Sequence, residues 1–227
     1  MNQLVLFDID KTLIDKSECH HHAFIYAFEK IYNIDTNAEV INYHGKTDPQ
    51  IMHEVLIAEG LNESDICPLK DNFLNCLSNY FISNVKSDKI EVMDGARSLI
   101  KELENQNILL GLLTGNMESI AYAKLNHVGL GHYFKLGGFG SDSYYRPNLV
   151  PLAIKRAQNN FAFNGNKKNT FVVGDTPLDI DAGLKAGITT IGVASGDYSL
   201  IELKKSGANF ILNDLTDLNG FLKILKK

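Results

Sequence analysis

Uninterrupted apolar runs recur along the chain and predict the buried strands of a parallel sheet. The runs lie at residues 4–7, 108–113, 171–173, 189–193 and 210–212, with a weaker run at 133–136. Apolar residues at helical spacing fill the intervals, such as Leu99, Ile100 and Leu103. Strands that alternate with helices in this way predict the α/β class, with a parallel sheet as the core and helices on its faces.

The interval from about residue 15 to residue 93 departs from this alternation. It has no convincing buried run, and its apolar residues recur at helical spacing, as in Phe24, Ala27 and Phe28. Asp48 followed by Pro49 predicts a helix start with Asp48 as the N-cap. We therefore expect two units: an α/β core from residues 1–15 and 93–227, and a helical insert from residues 16–92.

Composition and charge exclude several classes of function. The 22 basic and 27 acidic residues give a net charge of −5, which does not favour nucleic acid or an anionic membrane as a partner. The three cysteines form no CxxC pair, so neither a disulfide framework nor a zinc site is expected. No secretory signal and no apolar run long enough for a membrane span are visible, so we expect a cytoplasmic protein.

Acidic side chains follow two of the predicted strands directly. Asp8 and Asp10 come after the first strand, and their i, i+2 spacing points both carboxylates the same way. Asp175 and Asp179 follow the run at 171–173. Because sites in parallel sheets lie at the carboxyl ends of the strands, the two pairs are candidates for one divalent-cation site. Ordinary turn residues and a helix cap are the alternatives that the residues alone leave open.

Phosphate-binding features lie at two other points. Thr114, Gly115 and Asn116 follow another predicted strand and open a helix, where a hydroxyl and free backbone amides can hold a phosphate. An ordinary asparagine cap would look the same. Arg146 precedes a helix predicted from about residue 149 to residue 159, and its planar fork suits phosphate oxygens. Lys155 competes for this role, but it lies within that helix and is expected to be solvated.

These motifs, in this order and spacing, closely resemble those of the haloacid dehalogenase-like hydrolases over nearly the whole chain. The residues that carry the resemblance are Asp8, Asp10 and Thr12 in the first motif, Thr114 in the second, Arg146 in the third, and Asp175 and Asp179 in the fourth. The residues around Lys46 and Arg146 resemble the phosphoglycolate-phosphatase-like members. The third motif is often lysine in the family, so arginine at 146 is a departure. The resemblance implies a Rossmann-like core with an all-α cap inserted after the first motif.

The resemblance also implies catalytic roles. Asp8 would be the nucleophile that forms an aspartyl-phosphate, and Asp10 would protonate the leaving oxygen and then activate water. Mg²⁺ would bind the Asp8 carboxylate, the backbone carbonyl of Asp10 and Asp175, with Asp179 as a direct or outer ligand.

Substrate contacts are implied for the remaining motif residues. Thr114 and Arg146 would hold the phosphoryl oxygens, with Thr12, Gly115 and Asn116 beside them. Lys46 in the cap would meet an acidic leaving group or stay solvated. The triplet 20–22 of histidines is expected to start a cap helix, because consecutive helical positions cannot all chelate one ion.

The expected function is Mg²⁺-dependent hydrolysis of a small phosphorylated metabolite. Dehalogenating relatives lack the second acid of the first motif, so Asp10 favours phosphate chemistry. A sugar-phosphate mutase or a phosphonate hydrolase on the same scaffold is the nearest alternative. A phospho-aspartate signalling domain is a rival from another class, although it needs neither Asp10 nor a helical insert.

Overall fold

Six parallel strands form one sheet in the computed structural model, which describes residues 2–226. The strands are β1 (Leu4–Phe7), β2 (Leu109–Leu113), β3 (Gly137–Gly138), β4 (Thr170–Gly174), β5 (Thr189–Val193) and β6 (Phe210–Leu212). Their order in the sheet is β3-β2-β1-β4-β5-β6. The first strand in the chain is therefore central, with β2 on one side and β4 on the other.

Ten α-helices are described between and after these strands. They are α1 (Glu18–Tyr32), α2 (Asp48–Ala58), α3 (Glu63–Ile66), α4 (Lys70–Asn84), α5 (Ala96–Asn105), α6 (Glu118–His127), α7 (Leu149–Asn160), α8 (Pro177–Ala186), α9 (Leu200–Lys205) and α10 (Leu218–Leu225). Within residues 2–226, none of the helices combines the length and the apolarity that a bilayer crossing needs.

Both faces of the sheet are buried, which explains why its strands are apolar without alternation. In β1, Leu4 and Leu6 pack into a cluster on one face, whereas Val5 and Phe7 pack into a larger cluster on the other. All four side chains are fully buried. The α/β fold and the five strong strand predictions are confirmed.

Two local predictions are wrong. The weaker run at 133–136 is not a strand: residues 131–133 form a 3₁₀ helix, and the strand next to β2 is the glycine pair Gly137–Gly138. Phe134 and Leu136 are buried in the core, which accounts for the apolar run. The strand β3 has only two residues, which are too few to show a hydrophobic periodicity. The N-cap of α2 is Thr47, whose side chain accepts from Gln50 N–H, so Asp48 is the first helical residue.

The segment between β1 and α5 is helical, and we call residues 18–87 the helical segment. Its helices α1 and α4 pack together around aromatic side chains, with the rings of Phe28 and Phe73 4.8 Å apart. The chain leaves the sheet and returns to it at adjacent positions, because Asp15 N–H bonds to the Glu91 carbonyl at 2.9 Å and Met93 N–H bonds to the Leu13 carbonyl at 3.0 Å.

The strand register brings the sequence motifs together. Phe7, the last residue of β1, pairs with Leu112 of β2 and with Val173 of β4. The residues that follow these three neighbouring strands therefore emerge side by side at one edge of the sheet. The first, second and fourth motifs all begin there.

Candidate active site

Arg146 lies at the centre of the converging motifs. Its Nη2 is 2.6 Å from Asp8 Oδ1 and 2.5 Å from Asp179 Oδ1, and it also donates to the Leu113 carbonyl at 3.1 Å. Residues 146–148 form a 3₁₀ turn at the start of α7, which aims the side chain back across the sheet edge. Arg146 is buried, so its charge is balanced by two buried carboxylates.

The electrostatics of this cluster show an excess of negative charge. The pKa of Asp8 is raised to about 7, first because the carboxyl is buried and second because Asp179 lies beside it, while Arg146 offsets part of the rise. The pKa of Asp175 is raised to about 8 by burial and then by Asp8 and Asp179. Burial lowers the pKa of Arg146, but Asp179 and Asp8 more than compensate and keep it fully charged. One arginine therefore does not neutralise three acids.

The three acids are arranged as a cation site would require. One carboxylate oxygen from each of Asp8, Asp175 and Asp179 lies within 4.8 Å of the others. Thr12 donates its hydroxyl to Asp175 Oδ1 at 3.1 Å and so orients that carboxylate. Gly196 leaves room beside the other oxygen, because a Cβ there would lie 1.9 Å from Asp175 Oδ2. Hard oxygen donors and uncompensated charge fit a divalent metal ion.

Asp179 differs from the other two acids because both of its oxygens bind protein donors. Oδ1 accepts from Arg146, and Oδ2 accepts from the backbone N–H and hydroxyl of Thr176 at 3.1 and 2.7 Å. The Thr176 hydroxyl also accepts from Asp179 N–H at 3.3 Å, and this bond and the one from Thr176 N–H form the capping box that starts α8. The Asp-Thr-Pro-Leu-Asp sequence therefore builds a helix start and directs an acid toward the site at the same time.

Asp10 binds a different set of donors from the three clustered acids. Its Oδ1 and Oδ2 lie 2.6 and 2.8 Å from the Lys124 ammonium, and Oδ2 also accepts from Asn116 Nδ2 at 2.8 Å. Burial raises the pKa of Asp10, but Lys124, His20 and the hydrogen bonds outweigh burial and lower it. The two acids of the first motif therefore have opposite environments: without a metal ion the Asp8 carboxyl holds its proton more strongly than usual, whereas Lys124 and its neighbours favour the ionised form of Asp10.

The helical segment closes onto these residues through its backbone. Arg146 Nη1 donates to the Gly45 carbonyl at 2.8 Å, and Asp48 N–H donates to the Gly115 carbonyl at 2.8 Å. Gly115 permits this approach, because a Cβ at that position would lie 2.1 Å from the Lys46 carbonyl oxygen. The loop after β2 thus contacts the segment directly.

The structure gathers most of the predicted site residues and places Lys46 elsewhere. Thr114 is fully buried and its hydroxyl accepts from the Asn116 amide, while Thr12 binds Asp175. Lys46 is paired with Glu54 within the helical segment, so its ammonium is not directed at the acidic cluster. Lys155 is exposed, as expected.

Lys124 and His20 are the functional candidates that sequence reasoning missed. Lys124 is 1% exposed and occupies the buried face of α6 beside Ile120 and Ala121. A lysine three or four residues after apolar positions of a buried helix face is the signal that could have found it. His20 lies on α1 with its Nδ1 3.1 Å from the Lys124 ammonium.

Comparisons with known proteins give consistent matches. A family model described as haloacid dehalogenase-like hydrolase matches residues 5–193. The chain is similar to pyrophosphatase PpaX of Oceanobacillus iheyensis, at 23% identity over 216 residues and 94% of each protein. It is also similar to phosphoglycolate phosphatase of Neisseria meningitidis, at 26% identity over 221 residues, 95% of this chain and 92% of that one. A solved structure, of a predicted phosphatase from Clostridium acetobutylicum, covers 98% of this chain and 99% of its own, with 22% identity and a TM-score of 0.76.

Proposed function

The chain belongs to the haloacid dehalogenase-like hydrolases, and we propose that it is a Mg²⁺-dependent phosphatase that hydrolyses a small phosphomonoester through an aspartyl-phosphate on Asp8. The observation that carries the proposal is the buried group of Asp8, Asp175 and Asp179, two of which pair with Arg146, next to an Asp10 that pairs with Lys124. Phosphatases among the similar proteins agree with it.

Asp8 is the proposed nucleophile. Arg146 holds Oδ1 of Asp8, and the other carboxylate oxygen attacks phosphorus, so that an oxygen–phosphorus bond forms as the bond to the leaving oxygen breaks. Asp10 supplies the proton that the leaving oxygen takes up. It then removes a proton from a water molecule, which attacks the aspartyl-phosphate, releases inorganic phosphate and restores Asp8.

Asp8, Asp175 and the backbone carbonyl of Asp10 are the proposed Mg²⁺ ligands. Asp179 acts through Arg146 and Thr176, because both of its oxygens are already bound. The cation, when bound, offsets the charge of the acids and of the phosphoryl group. The Thr114 hydroxyl, Arg146 and the backbone amide of Gly115 hold the phosphoryl oxygens.

The helical segment is the proposed cap, with boundaries at residues 16–92. Its two connections to the sheet lie side by side and are joined by the hydrogen bonds at Asp15 and Met93, which suits a hinge. The motif residues contact the phosphoryl group that all such substrates share, so the cap would select the leaving group. Lys46 would contribute if an acidic leaving group drew its ammonium away from Glu54.

Phosphate release from a panel of substrates tests the proposal. Phosphoglycolate, a sugar phosphate, inorganic pyrophosphate and an aryl phosphate should be compared with Mg²⁺ and with a chelator. Pyrophosphate is included because similar proteins are named for its hydrolysis. We expect Mg²⁺-dependent release from at least one substrate and none from Asp8→Asn. Isomerisation of the sugar phosphate without phosphate release would favour the mutase alternative, and a long-lived aspartyl-phosphate would favour the signalling alternative.

A further inference from the structure

Lys124 is a buried charged residue that no step of the proposed reaction uses. Its ammonium binds both oxygens of Asp10, at 2.6 and 2.8 Å, and lies 6.0 Å from the centre of the Phe81 ring. A buried ammonium is costly unless it is paired and hydrogen-bonded, and a leucine would fit the apolar face of α6 at lower cost. The position of Lys124 therefore points to a role at Asp10.

The third donor of Lys124 reaches the helical segment. Nζ lies 3.1 Å from His20 Nδ1, and because an ammonium can only donate, Nδ1 must be the acceptor. The ring proton then lies on Nε2, which is 3.5 Å from Asp48 Oδ1. The other oxygen of Asp48 accepts from Met117 N–H at 2.7 Å, at the start of α6. This chain of contacts runs from the core to the segment and back.

Asp10 itself is held from two sides. Lys124 binds both carboxylate oxygens, and Asn116 binds Oδ2 from the loop after β2. The Asp10 side chain is 33% exposed, so it has space to rotate if these donors are removed. An acid that must donate to a leaving oxygen and then accept from water loses efficiency when its rotamer is free, because the transfers need hydrogen-bond geometry.

We propose that Lys124 is a positioning residue that fixes the carboxylate of Asp10, and that His20 holds the Lys124 ammonium from the helical segment. The role rests on the proposed function, because it needs Asp10 to act as the acid and base. The His20 contact also makes the position of Asp10 depend on the helical segment, because His20 reaches Lys124 only when that segment lies against the core.

A comparison of substrates with different leaving groups distinguishes this role from a purely structural one. An aryl alcohol departs without prior protonation, so its release in the first turnover does not need a positioned Asp10. An alkyl alcohol needs the proton. Both substrates then require Asp10 to activate water. Lys124→Met should slow first-turnover alcohol release from an alkyl phosphate about 10²-fold, the size of a general-acid contribution. With an aryl phosphate, Lys124→Met should retain the burst of aryl alcohol release in the first turnover, and its later turnovers should be slower.

Matched variants complete the experiment. Lys124→Arg keeps a charged donor and should recover part of the alkyl rate. His20→Phe removes the ring acceptor and should show the same alkyl-selective loss at smaller size, whereas His20→Gln should lose less. Lys185→Met, the same change at an exposed ion pair with Asp181, should behave as wild type. If Lys124→Met does not fold, the arginine and His20 variants give the same comparison.

A double-variant cycle identifies the partner. In Asp10→Asn, adding Lys124→Met should cause little further loss, because the group that it positions is already disabled. Equal slowing of alkyl and aryl release in the first turnover, or full additivity with Asp10→Asn, would overturn the positioning role. An active Asp8→Asn would instead overturn the proposed function, so the two failures are distinguishable.

Discussion

Replacing Arg146 with methionine removes the positive charge that lies between Asp8 and Asp179. Removing one partner from a buried ion pair costs about 3–5 kcal/mol, because the remaining carboxylate is left buried without compensation. Arg146→Lys keeps the charge but cannot span Asp8, Asp179 and the Gly45 carbonyl with one ammonium. The lost bond to Gly45, 2.8 Å long in the structure, corresponds to about 1.5–3 kcal/mol for a charged donor.

The cost of Arg146→Met depends on pH in a definite direction. The pKa of Asp8 is raised to about 7 and that of Asp175 to about 8 in the folded protein, above the values of an unfolded chain. Between about pH 4 and these values the folded state holds protons that the unfolded state releases, so stability from these groups falls as pH rises. Without Arg146 the repulsion among the carboxylates is larger, so the loss of stability should be greatest near pH 8 and smaller near pH 5.

Urea unfolding of metal-free protein at these two pH values measures the effect. Arg156→Met is the control, because Arg156 forms a two-pronged ion pair with Asp142 but is 35% exposed, so its removal leaves no fully buried carboxylate uncompensated. The expected order of stability near pH 8 is Arg156→Met, then Arg146→Lys, then Arg146→Met. Equal stability of the two Arg146 variants at high pH would refute the reasoning that the arginine charge compensates buried acids.

Three further predictions concern metal, specificity and the nucleophile. Activity should vanish in EDTA and return with Mg²⁺ but poorly with Ca²⁺. The rise in melting temperature caused by Mg²⁺ should grow between about pH 5 and pH 8, because protons on Asp8 and Asp175 compete with the cation. A Mg²⁺-induced rise that shrinks over this pH range would contradict the proposed metal site. Lys46→Ala should lower kcat/KM for phosphoglycolate at least about tenfold and leave an aryl phosphate unaffected. Glu54→Gln, which keeps the Lys46 charge, should retain phosphoglycolate turnover. Equal losses of kcat/KM for both substrates in Lys46→Ala would contradict selection of the leaving group by the cap. Asp8→Asn should abolish turnover while thermal unfolding of the metal-free protein shows no loss of stability, because it removes one charge from a crowded acidic cluster.

The sequence predicted the strands and the motif positions because buried parallel strands carry continuous apolar runs. Once β1 lies between β2 and β4, the residues after these strands must meet, so Asp8, Thr114 and Asp175 could be placed together without a structure. Arg146 was predicted as the basic residue of the site, but its burial between Asp8 and Asp179 was not predicted, and its contact with the Gly45 carbonyl depends on how the helical segment lies against the core.

Contacts across that boundary were beyond sequence reasoning. Lys124 and His20 are 104 residues apart, and neither lies in a sequence motif that predicts their contact. The pairing of Lys46 with Glu54 was missed for a different reason. The first two turns of α2 bring Glu54 beside Lys46, which precedes the helix, but a lysine in an ion pair and a lysine that contacts substrate look the same in the sequence. The two-residue strand β3 was missed because short strands carry no periodicity.

Chemical trapping of the intermediate shows which carboxylate receives the phosphoryl group. The enzyme should be quenched during turnover with Mg²⁺ and substrate, reduced with borohydride, and digested for peptide mass spectrometry. Borohydride converts an acyl phosphate to an alcohol and leaves a free carboxylate unchanged. We expect reduction at residue 8 alone, more of it in Asp10→Asn, where hydrolysis of the intermediate is slowed, and none in Asp8→Asn. Turnover with no reduced residue, or with the alcohol at another acid such as Asp175, would contradict this expectation.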